Sequence, residues 1–367
     1  MKWLVVTSSL TNDNGYSRLS SSLIDNLRQI PNLEIEIQTG NCAKSQWFKK
    51  NTLKSEKVLH IKRVWWLYVI YDLICLLIFS RKKYSGVLVL VEHYAISAWL
   101  FAKFKNIHCV VVQCGTYAVK LPKEIKTYKW VLERYDLVIP ISNYTKKRME
   151  EDGIFCKYKV ISLGVDKDKF SCKHLSRKNE IIFVGNLKTR KGFNFLLESY
   201  LVSFKNNPTI RLIVVGRVDR GSKAFVKIME IVSKEGLKVD FVGVLSHDEL
   251  VKRYNEAKLN ILPSKSDPYF FEGFGLIHLE ANACGTLTIG TFNSGNEDAI
   301  KPGMGFLVNF GDVNKLSQII LETMDLKDYP LINTDDLKTW KEVASEYHST
   351  LIKIKENKMI SGGFSGQ

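Results

Sequence analysis

Two stretches of this chain repeat one pattern. Ile181-Ile182-Phe183-Val184 and Leu212-Ile213-Val214-Val215 are unbroken apolar runs, each ending at a glycine, Gly185 and Gly216. A short run with no polar alternation suits a strand covered on both faces, as in a parallel sheet. Around these runs the spacing changes to that of helices, over residues 193–204, 223–235 and 247–257. Ser246 stands where the last of these needs its cap, with Glu249 at capping-box spacing. Further strands are expected at 239–242, at 259–262 before Pro263-Ser264, and at 286–290. The first half has the same rhythm. Strands are expected at 3–8, 34–38, 87–91, 110–113 and 137–141, with helices at 17–27 and 96–104. Alternating strand and helix implies a parallel sheet wrapped by helices, and here the pattern occurs twice.

At 367 residues the chain exceeds what one core usually serves. The expected organisation is a first α/β domain over 1–176 and a second over 177–340, joined near 166–179. A last helix over 341–358 follows, then a disordered Gly/Ser tail over 359–367. In such sheets ligands bind beyond the carboxyl ends of the strands. Gly185, Gly216, Gly243 and Ser264 all fall at those ends.

The composition, 45% hydrophobic and 25% charged, is that of a globular protein. Seven cysteines without C-x-x-C spacing read as reduced thiols in a cytosolic setting, with no zinc site. Met1-Lys2-Trp3-Leu4-Val5-Val6 reads as the start of a strand and not as a secretory leader. Residues 1–176 hold 28 Lys+Arg against 15 Asp+Glu, and the remainder 25 against 23. A basic first domain attracts anionic membrane surfaces, acidic glycans or nucleic acid; a solvated lysine-rich surface would carry the same charge. Nucleic acid is the least favoured, because no aromatic-basic binding motif is visible. Residues 64–80 form an apolar run holding Trp65, Trp66 and a central Asp72, flanked by Lys62-Arg63 and Arg81-Lys82-Lys83. It falls short of the roughly 20 residues that span a bilayer, so a buried or interfacial helix is expected.

The chemistry concentrates in Phe271-Glu272-Gly273-Phe274-Gly275-Leu276-Ile277-His278-Leu279-Glu280. Two carboxylates bracket a Gly-Phe-Gly turn that opens an apolar helix, with Glu280 expected about two turns in. Free N–H groups at a helix start favour an anion. Arg190-Lys191-Gly192 follows the strand that ends at Gly185. Cations there suit an anionic ligand such as a phosphate. Asn14-Gly15, after the first strand, could let backbone approach a phosphate.

The Glu272/Glu280 spacing resembles the E-x7-E signature of retaining glycosyltransferases of family 4. The resemblance implies an α/β GT-B architecture, two doubly wound Rossmann-like domains facing across a cleft. Ser142-Asn143-Tyr144-Thr145, Gly164-Val165-Asp166 with Phe170, and Phe241-Val242-Gly243 with Leu245-Ser246 extend it. It is dense over 135–348 and weaker before that. It implies that Glu272, Lys191 and Arg190 are catalytic. Gly15, Gly185, Gly216, Leu245, Ser264, Gly273, Phe274, Gly275, Leu276 and Glu280 would bind the donor. His93 and Cys114 would lie on the acceptor or sugar side. Glu272 would meet sugar hydroxyls and Glu280 the ribose.

Two positions depart from the family pattern. Cys114 stands where the family often has histidine, and Asn186 where it often has arginine. A thiol lacks the hydrogen bonding of an imidazole, and Asn186 removes a cation that Arg190 could replace. Asp166-Lys167-Asp168 spells D-x-D, but it belongs to the segment joining the domains and is discounted as a metal motif.

The expected function is therefore retaining transfer of a sugar from a UDP- or GDP-sugar to a glycan or glycolipid. That would serve cell-surface polysaccharide or glycoconjugate biosynthesis. No cofactor or obligatory metal is expected, and the setting would be cytoplasmic or peripheral on the cytoplasmic membrane face. A nucleotide-sugar epimerase, or a non-catalytic nucleotide-sugar- or glycan-binding subunit, are the rival readings.

Overall fold

The computed structural model describes residues 1–10, 15–41, 65–80 and 82–361. The expected loop over 11–14, the Lys62-Arg63 and Arg81 flanks and the tail beyond Ser361 lie outside the described residues. The chain divides into two compact units, Met1–Leu163 with Trp340–Gln367, and Gly164–Thr339.

The first unit holds β1 (Lys2–Ser9), α1 (Gly15–Leu27), β2 (Glu34–Asn41), α2 (Trp65–Phe79) and β3 (Gly86–Val89). Next come α3 (Ala95–Lys105), β4 (His108–Gln113), α4 (Thr116–Glu124), α5 (Lys126–Leu132), β5 (Leu137–Pro140) and α6 (Asn143–Glu151). The strands lie in the order β2-β1-β3-β4-β5 and every neighbouring pair is parallel. Strand order reverses between β1 and β3, so the carboxyl ends of those two strands flank the switch point of this sheet. The final helix α13 (Trp340–Ser361) packs on α1. Val343, Ala344, Tyr347 and Leu351, spaced along one helical face, are each 1% exposed.

The second unit runs β6 (Lys178–Val184), α7 (Phe193–Asn206), β7 (Arg211–Val215), α8 (Lys223–Lys234), β8 (Val239–Gly243) and α9 (His247–Glu256). It continues with β9 (Ala257–Ile261), α10 (Leu276–Ala283), β10 (Leu287–Thr291), α11 (Asn296–Ala299), β11 (Gly305–Val308) and α12 (Val313–Met324). All strands are parallel, in the order β11-β10-β9-β6-β7-β8. The unbroken apolar runs follow from cover on both faces. Ile181, Phe183, Leu212 and Val214 pack into one core, while Ile182, Ile213 and Val215 pack into another.

The boundary between units falls at Leu163/Gly164, ahead of the expected 176/177. Backbone pairing explains this: Val165 N–H donates to Lys338 O at 2.9 Å, and Val165 bridges Thr339. The Asn255 side chain then holds Lys173 N–H at 2.6 Å and Ser171 O at 3.0 Å, which ties 164–177 to the second unit. Ser246 and Glu249 form the expected capping box at the start of α9.

Candidate active site

The second sheet reverses its order between β6 and β9, and the loops leaving these two strands carry the charged groups. Beyond β6 the chain makes a short turn over Thr189–Lys191. Gly192 then adopts φ +69° and lies so close to the loop after β9 that a Cβ there would overlap the Pro263 carbonyl. Lys265 N–H donates to Arg190 O at 2.8 Å, closing the two loops on each other. Switch-point topology, a left-handed glycine and this backbone bond together fix where Arg190 and Lys191 point.

Both cations meet one carboxylate. Glu272 Oε2 accepts from Arg190 at 2.7 Å and from Lys191 Nζ at 2.6 Å. The Glu272 side chain is 12% exposed. Burial pushes its pKa up, but Lys191 and Arg190 outweigh burial and hold it down to about 2. Burial lowers the Lys191 pKa, Arg190 and Lys188 add to that, and Glu272 opposes it. Two cations on one anion leave a surplus positive charge beside the turn, which suits a phosphate ligand.

The turn itself is tightly held. Gly295 N–H donates to Glu272 O at 2.8 Å. Gly295 has an ordinary helical φ of −63°, so its conformation does not call for glycine. Close approach does, because a Cβ would overlap the backbone of Gly273 and Phe274. Phe274 is buried, Gly275 precedes α10, and Leu276 is its first residue. Glu280 therefore lies just over one turn into the helix and not two. It is buried, and the Tyr254 hydroxyl donates to its Oε2 at 3.4 Å. Arg177 donates to Cys284 O and Gly285 O beyond the far end of α10, and to Tyr254 O, Ala257 O and the Thr286 hydroxyl. A cation is favourable at a helix C-terminus, and this one locks α9, α10 and the approach to β10 together.

The other expected donor-side residues are placed as follows. Gly185 N–H donates to Val215 O and Gly216 N–H to Gly243 O, so the ends of β6, β7 and β8 are laced together. Ser264 is buried, its hydroxyl has no partner among the described residues, and its carbonyl accepts from Thr291 Oγ1 at 2.6 Å. Leu245 is half-buried against the apolar cluster of Leu250 and Tyr254. Asn186 is exposed, and the Arg190 guanidinium occupies the carboxylate of this site. His278 is fully buried with Nδ1 on the Thr288 hydroxyl, and burial pulls its pKa down to about 3. It is a neutral packing residue. Asp166 accepts from the N–H groups of Asp168 and Lys169 and pairs with Lys169 Nζ at 2.6 Å, which is a local turn.

Gly15, His93 and Cys114 belong to the first unit. Gly15 opens α1, and among the described residues no non-neighbouring atom lies within 4 Å of where a Cβ would stand. His93 follows β3, its ring edge-on to Tyr117 at 4.5 Å, and burial lowers its pKa to about 4. Cys114 N–H donates to Glu92 Oε1 at 2.5 Å and its thiol lies 3.6 Å from Leu90 O. Burial first, then Glu92, raises the thiol pKa well above its ordinary value, so Cys114 stays protonated.

The positioning residues Arg177 and Gly295 were not expected from sequence. Asn293-Ser294-Gly295-Asn296 after the strand at 286–290 is a turn signal that could have pointed to Gly295. An open groove of about 700 Å³, lined by Arg211, Arg220, Phe225, Phe241 and Arg253 among others, includes none of Arg190, Lys191, Glu272 and Glu280.

Residues 165–337, nearly the whole second unit, match the family "Glycosyl transferases group 1". Among curated relatives, one is the GDP-mannose-dependent monoacylated alpha-(1-6)-phosphatidylinositol monomannoside mannosyltransferase of Corynebacterium glutamicum. It is 25% identical over 221 residues, 56% of this chain and 57% of its own length. An uncharacterized glycosyltransferase of Methanocaldococcus jannaschii is 27% identical over 72% of this chain and 71% of its own length. The chain thus spans little more than half of the first of these relatives. Sucrose-phosphate synthase from Thermosynechococcus elongatus has the same fold, with TM-score 0.79 and 17% identity over 96% of this chain and 99% of its own. HepE from Anabaena, solved with UDP and glucose, has TM-score 0.66 and 15% identity over 99% of each chain. The architecture is GT-B.

Proposed function

We propose that this chain is a retaining glycosyltransferase of family 4 that moves a sugar from a UDP- or GDP-sugar to a glycan or glycolipid acceptor. The observation that carries this reading is the Arg190–Glu272–Lys191 cluster at the switch point of the second sheet. On this reading Lys191 and Arg190 turn from Glu272 to the donor diphosphate when it arrives. As the bond from the anomeric carbon to the phosphate oxygen breaks, charge builds on the diphosphate. Cations already in place stabilise it without solvent reorganisation. The acceptor hydroxyl attacks the same face of the sugar, and its proton passes to the departing phosphate oxygen. Glu272, held near 2, is a poor proton acceptor at neutral pH. It is suited to accept hydrogen bonds from sugar hydroxyls, and Glu280 takes the same part toward the ribose. No obligatory metal is assigned, because fixed cations and the start of α10 supply the charge.

The basic first unit would take the acceptor, with His93 and Cys114 on its side and neither acting as a base. The setting we assign is the cytoplasmic membrane face. Two relatives named above give opposite hints on the base, one being GDP-mannose-dependent and the other solved with UDP. The deciding experiment is binding and hydrolysis across UDP-, GDP-, ADP- and CMP-sugars for wild type, Glu272→Ala and Lys191→Ala. One donor should bind selectively and hydrolyse slowly, with hydrolysis lost in both variants. Failure to bind any nucleotide sugar would sink the proposal.

A further inference from the structure

Helix α2 presents a surface that a helix facing water does not need. Its buried side is Val69, Asp72, Cys75 and Leu76. Asp72 is the one charged residue among its fifteen, and it points inward. On the opposite side Trp66, Leu67, Ile70 and Ile74 are 50%, 48%, 45% and 48% exposed. Their spacing puts them within one arc of the helix. A surface helix ordinarily turns charged or polar residues outward, and a contiguous apolar patch marks an interaction site.

The charge around this patch points to one kind of partner. In sequence, residues 42–64 before α2 carry seven Lys+Arg against one Glu, and Arg81-Lys82-Lys83 follows it. The Lys82 side chain is 61% exposed and Lys83 is exposed. Helix α3 packs beside α2. Crossover helices run opposite to the strands they join, so both helices end at the strand-start edge of the sheet. The last turn of α3 adds Lys103, Lys105 and a Phe104 that is 74% exposed. An apolar strip with tryptophan, bordered by cations, matches the boundary between acyl chains and anionic headgroups. A second copy is a poorer occupant. A two-fold contact would set these lysines against each other, and like charges brought together oppose association. No described helix is long and apolar enough to cross a membrane.

We propose that α2 docks the protein on an anionic bilayer, lying in the interface plane with Trp66, Leu67, Ile70 and Ile74 at the acyl boundary and Lys82 and Lys83 on the headgroups. Helix α2 belongs to the first unit and Glu272 to the second, and no group assigned to the donor takes part in this proposal, so it survives or fails independently of the transferase reading. The test is co-sedimentation of the full chain with vesicles of phosphatidylglycerol or of phosphatidylcholine, over a range of salt. Phosphatidylglycerol vesicles should bind at least tenfold better, and binding should weaken with salt. Ile70→Asn with Ile74→Asn should lose at least tenfold, and Trp66→Ser severalfold. Lys82→Gln with Lys83→Gln should lower the salt dependence. Melting temperature and nucleotide binding, measured on the same samples, identify any variant that has misfolded; Trp66→Ser, at the helix start, is the variant least exposed to that risk. Equal binding to both lipids, no binding by wild type, or unchanged binding by folded apolar variants would overturn the proposal. So would a dimer in sedimentation that Ile70→Asn dissolves without any partition to lipid.

Discussion

Glu272 owes its charge to its neighbours, and that makes it measurable apart from any activity. Its pKa is about 2 in the folded protein, against 4.5 for an unperturbed glutamate. A depressed carboxylate contributes stability that is present above its unfolded pKa and lost as pH falls through the folded one. The free-energy gap between wild type and Glu272→Gln should therefore grow by about 3 kcal/mol from pH 2 to pH 5, as read by denaturant unfolding at each pH. A flat difference would mean the cations do not hold the carboxylate. Gly295 tests position in place of charge. Its Cβ has no room against Gly273, so Gly295→Ala must move the Glu272 turn. A displacement near 1 Å at a reacting group costs on the order of a hundredfold in rate. We expect kcat to fall by at least tenfold while nucleotide affinity without sugar changes little. Equal losses in both would instead point to general unfolding. Sequence singled out Glu272, Lys191 and Arg190 through the E-x7-E spacing and the Arg-Lys-Gly segment, whose roles came from the resemblance to a known family. It did not single out Gly295, because a glycine with ordinary backbone angles looks like any turn residue until its neighbour across the gap is known.

At the scale of elements, the strands and the helix starts were the readable part. Unbroken apolar runs mark β6 and β7, and Ser246 with Glu249 marks the start of α9, since each signal lies within a few residues. Helices α4, α5, α6, α11 and α12 and strand β11 were not assigned. In α4 and α6 a weak apolar period is mixed with charge, and β11 is four residues long. The division at Leu163/Gly164 was also out of reach, because it depends on pairing of Val165 with residues near Thr339, far along the chain. Arg177 is the clearest case of such a long-range part. Its guanidinium serves backbone carbonyls of Tyr254, Ala257, Cys284 and Gly285. Hydrogen bonds to a charged group are each worth about 1.5–3 kcal/mol, and they do not add in full. Arg177→Ala should thus destabilise the second unit by about 3–4 kcal/mol. Ser246→Ala, which removes one cap, should cost about 1 kcal/mol. Similar losses for the two, by thermal or denaturant unfolding, would show that Arg177 is not the clasp its contacts suggest.

At the scale of the molecule, the two units differ in how the chain builds them. The second is one continuous segment, Gly164–Thr339, closed on itself by Val165 pairing with Thr339 and Lys338. It contains Arg190, Lys191, Glu272 and Glu280, every charged group assigned to the donor. The first unit is discontinuous, because Trp340–Gln367 returns to it and α13 packs on α1. Val343, Tyr347 and Leu351 of that helix are each 1% exposed. Fully burying such side chains is worth about 1.5–3 kcal/mol apiece, a large share of the total stability of a domain. The expected outcomes are therefore unequal. A fragment of residues 164–339 should fold with a cooperative melt and gain melting temperature when the preferred nucleoside diphosphate is added, since a ligand that binds only the folded state stabilises it by mass action. A fragment of residues 1–163, left without α13, should melt broadly or aggregate, and a covalently linked 340–361 segment should restore a cooperative transition. If the second fragment folds but ignores every nucleotide while the full chain binds one, the donor site requires groups from the first unit, and Gly15 becomes the first residue to change.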